Sequence, residues 1–60
     1  MTKEECTRFA GDEVFRACDW LSDAVIAERQ GDTTKARALR IGAAGRLKEA
    51  LRALERMEKL

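Results

Sequence analysis

The sequence predicts an all-α protein: two helices in an antiparallel hairpin, with two hairpins forming a homodimeric four-helix bundle. Three observations favour this fold class. Small and large apolar residues recur with heptad spacing in both halves of the chain. A single glycine-containing turn separates the halves. There is no proline, and no segment alternates with the period of two that a strand would show.

Helix 1 is predicted to span about residues 3–29. Thr2 and Glu5 have the spacing of a capping box, so the helix starts near Lys3. The weak point is Gly11-Asp12, because glycine destabilises a helix interior and aspartate is a good N-cap. Helix 1 is therefore either one piece or a short arm, 3–10, followed by a main helix, 12–29. We favour the single helix.

The turn is predicted at residues 30–33 and helix 2 at about 33–59. Gly31 can adopt the left-handed conformation that closes helix 1, and either Asp32 or Thr33 can cap helix 2. Helix 2 contains four consecutive small residues, Gly42-Ala43-Ala44-Gly45. We expect another helix to approach closely there, and the alternatives are a groove for a partner side chain or a hinge.

Alanines spaced by seven residues alternate with larger apolar residues and define a predicted core and dimer seam. Its members are Ala10, Val14, Ala17 and Leu21 in helix 1, and Ala36, Ala43, Leu47, Ala50 and Leu54 in helix 2. Ala53 is expected to lie outside these close-packed positions. Helix 1 is apolar over an arc too wide for one partner helix to cover, and this breadth predicts the homodimer.

Length and charge distribution limit the number of domains and the way in which the helices pair. Sixty residues allow a single domain, 1–60, and chains this short usually need self-association, a disulfide or a metal ion to be stable. Residues 1–30 carry four cations and seven anions, a net charge of −3, whereas residues 31–60 carry eight and four, a net charge of +4. This asymmetry suits antiparallel pairing of the helices.

We expect no enzyme activity, no cofactor and no metal site. The sequence has no histidine, no phosphate-binding glycine loop and no nucleophile beside a base. Cys6 and Cys18 are predicted to be reduced residues in or near the core, and the alternative is a symmetric inter-chain contact or a reactive thiol. No apolar run is long enough to span a bilayer, and the acidic N-terminus is unlike a signal peptide, so we predict a cytoplasmic protein without membrane contact.

Two groups of residues are candidates for partner binding. The apolar residues left over from the seam, Phe9, Phe15, Trp20 and Ile26, either complete the dimer core or anchor a protein partner. The cations Lys48, Arg52 and Arg56, spaced four residues apart on helix 2, form either a solvated face or a contact for an acidic partner or nucleic acid. Near-neutral overall charge makes nucleic acid the less favoured partner.

The chain resembles the plasmid repressor-of-primer (Rop) family in the opening residues 1–7, Met-Thr-Lys-Glu-Glu-Cys-Thr, in its length and in the turn near residue 31. The resemblance implies an antiparallel dimer of helical hairpins with alternating small and large core layers, which binds paired RNA loops through helix 1. It also implies that Lys3 matches an RNA-contacting lysine and that Phe15 lies one position from the family's key phenylalanine. At other polar contact positions of the family this chain has Ala10, Cys18 and Val25.

These features lead to three hypotheses of function. The first is a small non-enzymatic regulatory protein, of the kind that phages and plasmids encode, which binds a cytosolic protein through its helix faces and inhibits it. The second is an RNA- or DNA-binding bundle that uses the basic residues of helix 2. The third is a structural or chaperone subunit of a heteromeric helical assembly.

Overall fold

A computed structural model describes residues 1–60 as two helices, α1 (Lys3–Arg29) and α2 (Thr33–Glu58). The helices pack side by side along their length in a rod of 45 × 13 × 11 Å. The predicted all-α helical hairpin is confirmed, and the structure contains no strand. Neither helix is long and apolar enough to cross a membrane.

Helix α1 begins with the capping box that the sequence indicates. The backbone N–H of Thr2 donates to a carboxylate oxygen of Glu5 at 3.0 Å, and the N–H of Glu5 donates to the hydroxyl of Thr2 at 3.1 Å. Two of the amides that lack partners at a helix N-terminus are satisfied in this way. The helix continues without interruption through Gly11, so the alternative of a short separate arm is excluded.

The turn closes one helix and starts the next within three residues. Gly31 has φ +79°, the left-handed conformation that glycine adopts without steric cost. The N–H of Asp32 donates to the carbonyl of Ala27 and that of Gly31 to the carbonyl of Glu28, as in a Schellman motif. Asp32 is also the N-cap of α2, because its carboxylate accepts a hydrogen bond from the N–H of Lys35.

Small side chains form most of the interface between the helices. The buried residues of α1 follow one stripe with alternating steps of four and three residues, in which Trp20 is half-buried: Cys6, Ala10, Glu13, Ala17, Ala24 and Ala27. The matching stripe of α2 contains Ala36, Ala43, Ala50 and Ala53, with half-buried Leu39, Arg46 and Met57 between or beside them. The largest fully buried side chain is that of Cys6, so the hairpin core buries little apolar volume.

Within the single hairpin, the residues between the alanine layers differ from those of the predicted core and dimer seam. The five seam alanines at positions 10, 17, 36, 43 and 50 are buried, but Val14, Leu21, Leu47 and Leu54 are 38–43% exposed. The prediction that Ala53 lies outside the close-packed positions is wrong, since it is 1% exposed. Alanines spaced by seven residues are compatible with two registers of helix packing. The layer between two alanines is formed by the residue three positions after the first alanine in one register and four positions after it in the other. Hydrophobicity predicts Val14 for the layer after Ala10, whereas in the hairpin its neighbour Glu13 lies in the interface.

Candidate protein-interaction site

One side of the hairpin interface holds a contact between Trp20 and Gly42. A Cβ added at Gly42 would lie 2.5 and 2.8 Å from two carbons of the Trp20 ring, closer than two carbon atoms can approach. The sequence predicts that a helix approaches this small-residue segment, and what approaches is the indole of α1. The helix α2 continues unbroken through Gly42 and Gly45, so the segment is not a break in the helix.

An ion pair lies beside this contact. A guanidinium nitrogen of Arg46 donates to both carboxylate oxygens of Glu13, at 3.0 and 3.2 Å. Glu13 is 7% exposed and is the only charged residue among the buried ones. The same guanidinium carbon lies 5.0 Å from the centre of the Trp20 ring, within range of a cation–π interaction. Arg46 therefore satisfies a buried carboxylate and covers the indole at once.

These four residues, Glu13, Trp20, Gly42 and Arg46, form what we call the clamp, because they join α1 to α2 through side chains of specific shape and charge. Trp20 is one of the four predicted partner anchors, but much of its ring is in contact with its own hairpin. Its role in this structure is therefore to join the two helices. A shallow groove passes over the clamp and continues to Gly45 and Glu49.

The opposite side of the hairpin is apolar. In a heptad pattern, residues that flank a seam on the same side in two antiparallel helices lie on one surface. We call this surface the apolar face; it comprises Val14, Cys18, Leu21 and Val25 of α1 with Ala44, Leu47, Leu51 and Leu54 of α2. Its large aliphatic side chains are 38–59% exposed. Six large aliphatic side chains are thus partly exposed on this one side of the hairpin.

Contacts between the two helices lie at both ends of the apolar face. Arg40 of α2 and Glu28 of α1 form an ion pair with an N–O distance of 3.6 Å at the turn end of the apolar face. A cleft there is lined by Leu21, Ala24, Val25, Glu28, Arg29 and Arg40. At the open end, the hydroxyl of Thr7 contacts the sulfur of Met57 at 3.4 Å. The face is thus aliphatic in its middle and charged at its turn end.

Three other candidate anchors lie off the apolar face. Phe9 flanks the seam on the side of the clamp, Ile26 lies further round, and Phe15 points away from α2. Their exposed fractions follow this order, at 37%, 52% and 68%. We call these three residues the outer patch; Asp12, Arg16, Asp19 and Asp23 lie among them on α1. Self-association through the apolar face would leave the outer patch accessible.

The basic residues of α2 are interleaved with acids. Lys48, Arg52 and Arg56 are exposed, and Arg52 pairs with Glu49 of the preceding turn. A shallow depression at the end of the helix is lined by Arg52, Glu55, Arg56 and Lys59. Lys48, Arg52 and Arg56, which we call the basic ladder, therefore lie on a mixed-charge surface, and one of these three cations already has an anionic partner.

The two cysteines have different surroundings. Cys6 is completely buried in the interface, and its thiol lies 3.6 Å from the sulfur of Met1. Cys18 is exposed at the edge of the apolar face, so its predicted burial does not occur within the hairpin. No three His, Cys, Asp or Glu side chains are grouped closely enough to hold a metal ion.

Comparison with protein-family models, with curated proteins and with solved structures finds no match to this chain.

Proposed function

We propose that the chain is a small regulatory interaction protein without enzymatic activity. In this proposal it forms a homodimer through the apolar face and binds a cytosolic protein partner through the outer patch. Binding inhibits the partner because the dimer covers a surface that the partner needs. The observation that carries the proposal is that large apolar side chains are exposed on the apolar face and also elsewhere on α1, at Phe9, Phe15 and Ile26.

The composition of the hairpin core supports self-association. Alanine contributes little burial, since each methylene-sized group removed from water stabilises by only about 0.8 kcal/mol. Chains of this length are marginally stable as single layers. A second hairpin over the apolar face would bury Val14, Leu21, Leu47 and Leu54 and supply the missing core, with small and large residues in alternate layers as the heptad pattern predicts.

The outer patch indicates the chemistry of the partner. Phe15 is the most exposed large apolar residue of the chain, and aromatic side chains are frequent anchors in protein interfaces. Three aspartates, Asp12, Asp19 and Asp23, and one arginine, Arg16, lie among these residues and give them a net charge of −2. The partner surface should therefore hold apolar pockets with basic residues at their rim, which would accelerate encounter and exclude acidic surfaces.

We favour a protein partner over nucleic acid because acidic residues lie among the cations Lys48, Arg52 and Arg56 of α2. Glu49 and Glu55 lie among Lys48, Arg52 and Arg56, and the opposing helix has a net negative charge. Nucleic-acid surfaces usually present cations without interleaved acids.

The test uses a matched pair of substitutions, Phe15→Ser in the outer patch and Ile41→Ser on the exposed side of α2. The two residues have similar exposed fractions, 68% and 62%, and both point away from the opposite helix. Tagged wild-type protein and both variants are incubated with extract of the source cells, and bound proteins are quantified by mass spectrometry. A purified candidate is then titrated by calorimetry.

We expect one partner to bind the wild type and the Ile41→Ser variant with equal affinity and to lose at least tenfold, about 1.4 kcal/mol, with Phe15→Ser. Helix content and oligomeric state of the three proteins should be identical. Equal loss with both variants, or full binding by Phe15→Ser, would contradict the assignment of the outer patch.

A further inference from the structure

We propose that the cleft at the turn end of the apolar face binds an aliphatic carboxylate. The aliphatic chain lies on the floor of the cleft, and the carboxylate is held by Arg29 and Arg40 at its mouth. This site lies away from the outer patch, and binding there does not depend on the proposed homodimer. Its occupancy nevertheless affects that homodimer, because Leu21 and Val25 line the cleft and also belong to the apolar face.

The floor of the cleft is apolar and large enough for a small molecule. It is formed by Leu21, Ala24 and Val25 of α1, whereas α2 contributes a single side chain to the lining, that of Arg40. No large apolar side chain of α2 therefore fills the cleft, and Leu21 and Val25 remain 39% and 49% exposed. The volume of about 410 Å³ is in the range usual for sites that bind small organic molecules.

The mouth of the cleft carries more positive than negative charge. It is lined by two arginines, Arg29 and Arg40, and by one acid, Glu28. Arg29 forms no ion pair, and the N–O distance of 3.6 Å between Arg40 and Glu28 is too long for a hydrogen bond. Both guanidinium groups therefore keep N–H donors available in the planar geometry that matches a carboxylate.

The helix dipoles do not oppose an anion at this position. The C-terminus of α1 carries a partial negative charge, and the N-terminus of α2 carries a partial positive charge. The two termini meet at the turn, since α1 ends at Arg29 and α2 begins at Thr33. Their opposite partial charges largely cancel there, so the charged side chains determine which head group binds.

The lining also selects the rest of the ligand. None of the residues around the cleft is aromatic, so it offers no ring on which a planar ligand could stack. Leucine, alanine and valine side chains fit a flexible aliphatic chain instead. Because the two arginines exceed the one glutamate by a single charge, a monoanion is matched better than a dianion such as a phosphate monoester.

The carboxylate and a second hairpin compete for Leu21 and Val25. A hairpin that covers the apolar face buries these side chains, so the ligand binds only the uncovered form. By mass action it then shifts the chain from dimer to monomer. This consequence, unlike binding itself, rests on the homodimer proposed above. It makes dimerisation dependent on the concentration of an aliphatic carboxylate.

The test is a calorimetric titration of the full chain with octanoate at several protein concentrations. Two matched probes accompany it: octanol, which has the same chain without the charge, and acetate, which has the head group without the long chain. We expect octanoate to bind at least about tenfold more tightly than either probe. In NMR spectra, octanoate should shift the methyl signals of Leu21 and Val25.

Variants of the two arginines test the contact with the head group. Arg29→Gln and Arg40→Gln should each weaken octanoate binding about fivefold and leave octanol binding unchanged. The matched control is Arg37→Gln, which removes an exposed cation of α2 outside the cleft and should bind octanoate as the wild type does. Circular dichroism verifies the helix content of each variant.

The outcomes separate binding from dimerisation. If octanoate does not bind at any protein concentration, or binds no more tightly than octanol, the proposed site is overturned. The same holds if Arg37→Gln weakens binding as much as Arg40→Gln does. A wild type that is monomeric throughout and binds octanoate supports the site and contradicts the homodimer. A dimer that binds octanoate without dissociating supports the site and overturns the competition.

Discussion

The indole of Trp20 occupies the space that a side chain at residue 42 would need. Gly42 therefore leaves room for the aromatic ring to pack against the backbone of α2. A Cβ at Gly42 would lie 2.5 Å from the ring, whereas one at Gly45 would meet no atom within 4 Å. The two glycines are three residues apart in the same helix and differ only in what lies over them. This difference provides a stringent test of the clamp.

Gly42→Ala should destabilise the hairpin by about 1–2 kcal/mol, because the steric clash with Trp20 exceeds the gain in helix propensity. Gly45→Ala should instead stabilise it by up to about 1 kcal/mol, since an alanine in open space only improves propensity. Urea unfolding at one fixed protein concentration measures both changes. Stabilisation by both substitutions would show that Trp20 does not pack on Gly42.

Arg46→Leu should cost about 1.5–3 kcal/mol, because it leaves the carboxylate of Glu13 buried without a partner. The matched control is Arg8→Leu, whose ion pair with Glu4 is exposed on both sides and should contribute less than about 0.5 kcal/mol. Thermal unfolding followed by circular dichroism provides the comparison. Equal effects of the two substitutions would mean that the Glu13–Arg46 pair is solvated.

Ala43→Leu and Ala53→Leu should both destabilise, each by about 1–3 kcal/mol, because both alanines are 1% exposed between the helices. Ala38→Leu is the control, since Ala38 is exposed on the same helix. The measurement is again the free energy of unfolding by urea. If Ala53→Leu left the free energy of unfolding unchanged, Ala53 would lie outside the close-packed seam, as hydrophobicity alone predicts.

The capping box makes the start of α1 sensitive to acid. The hydrogen bond from the Thr2 backbone N–H, followed by that of its side chain, lowers the pKa of Glu5 below the ordinary value of a glutamate. A carboxylate with a lowered pKa stabilises the fold above its ordinary pKa and loses that contribution as the pH falls through the lowered value. NMR titration should give a Glu5 midpoint below that of a glutamate in an unstructured peptide, and Thr2→Ala should raise it. A midpoint that Thr2→Ala leaves unchanged would contradict the capping box.

The turns and caps could be predicted because their chemistry is local. Gly31, Asp32 and the Thr2–Glu5 pair each satisfy backbone groups within a few residues, so their spacing determines the structure there. The sequence is compatible both with a continuous α1 and with a break at Gly11. The helix continues because the cost of one glycine is small in a long helix held by packing.

The interface could be predicted only in part, because hydrophobicity does not distinguish the two registers that the alanine repeat allows. Val14 is apolar and Glu13 is charged, yet Glu13 lies in the interface because Arg46 of the facing helix donates to both of its carboxylate oxygens. Such a pairing across 33 residues has no local signal. The spacing of Glu13 and Arg46 on facing stripes would identify it only once the register is known.

The most direct test of the central claim, that the apolar face is an interface between two copies of this chain, is sedimentation equilibrium with circular dichroism from low to high micromolar concentration. The wild type should be helical with twice the chain mass of 6.8 kDa. Leu47→Glu, in the middle of the face, should shift it to monomer. A fully helical wild-type monomer across the whole range, or a dimer that Leu47→Glu leaves intact, would contradict the claim.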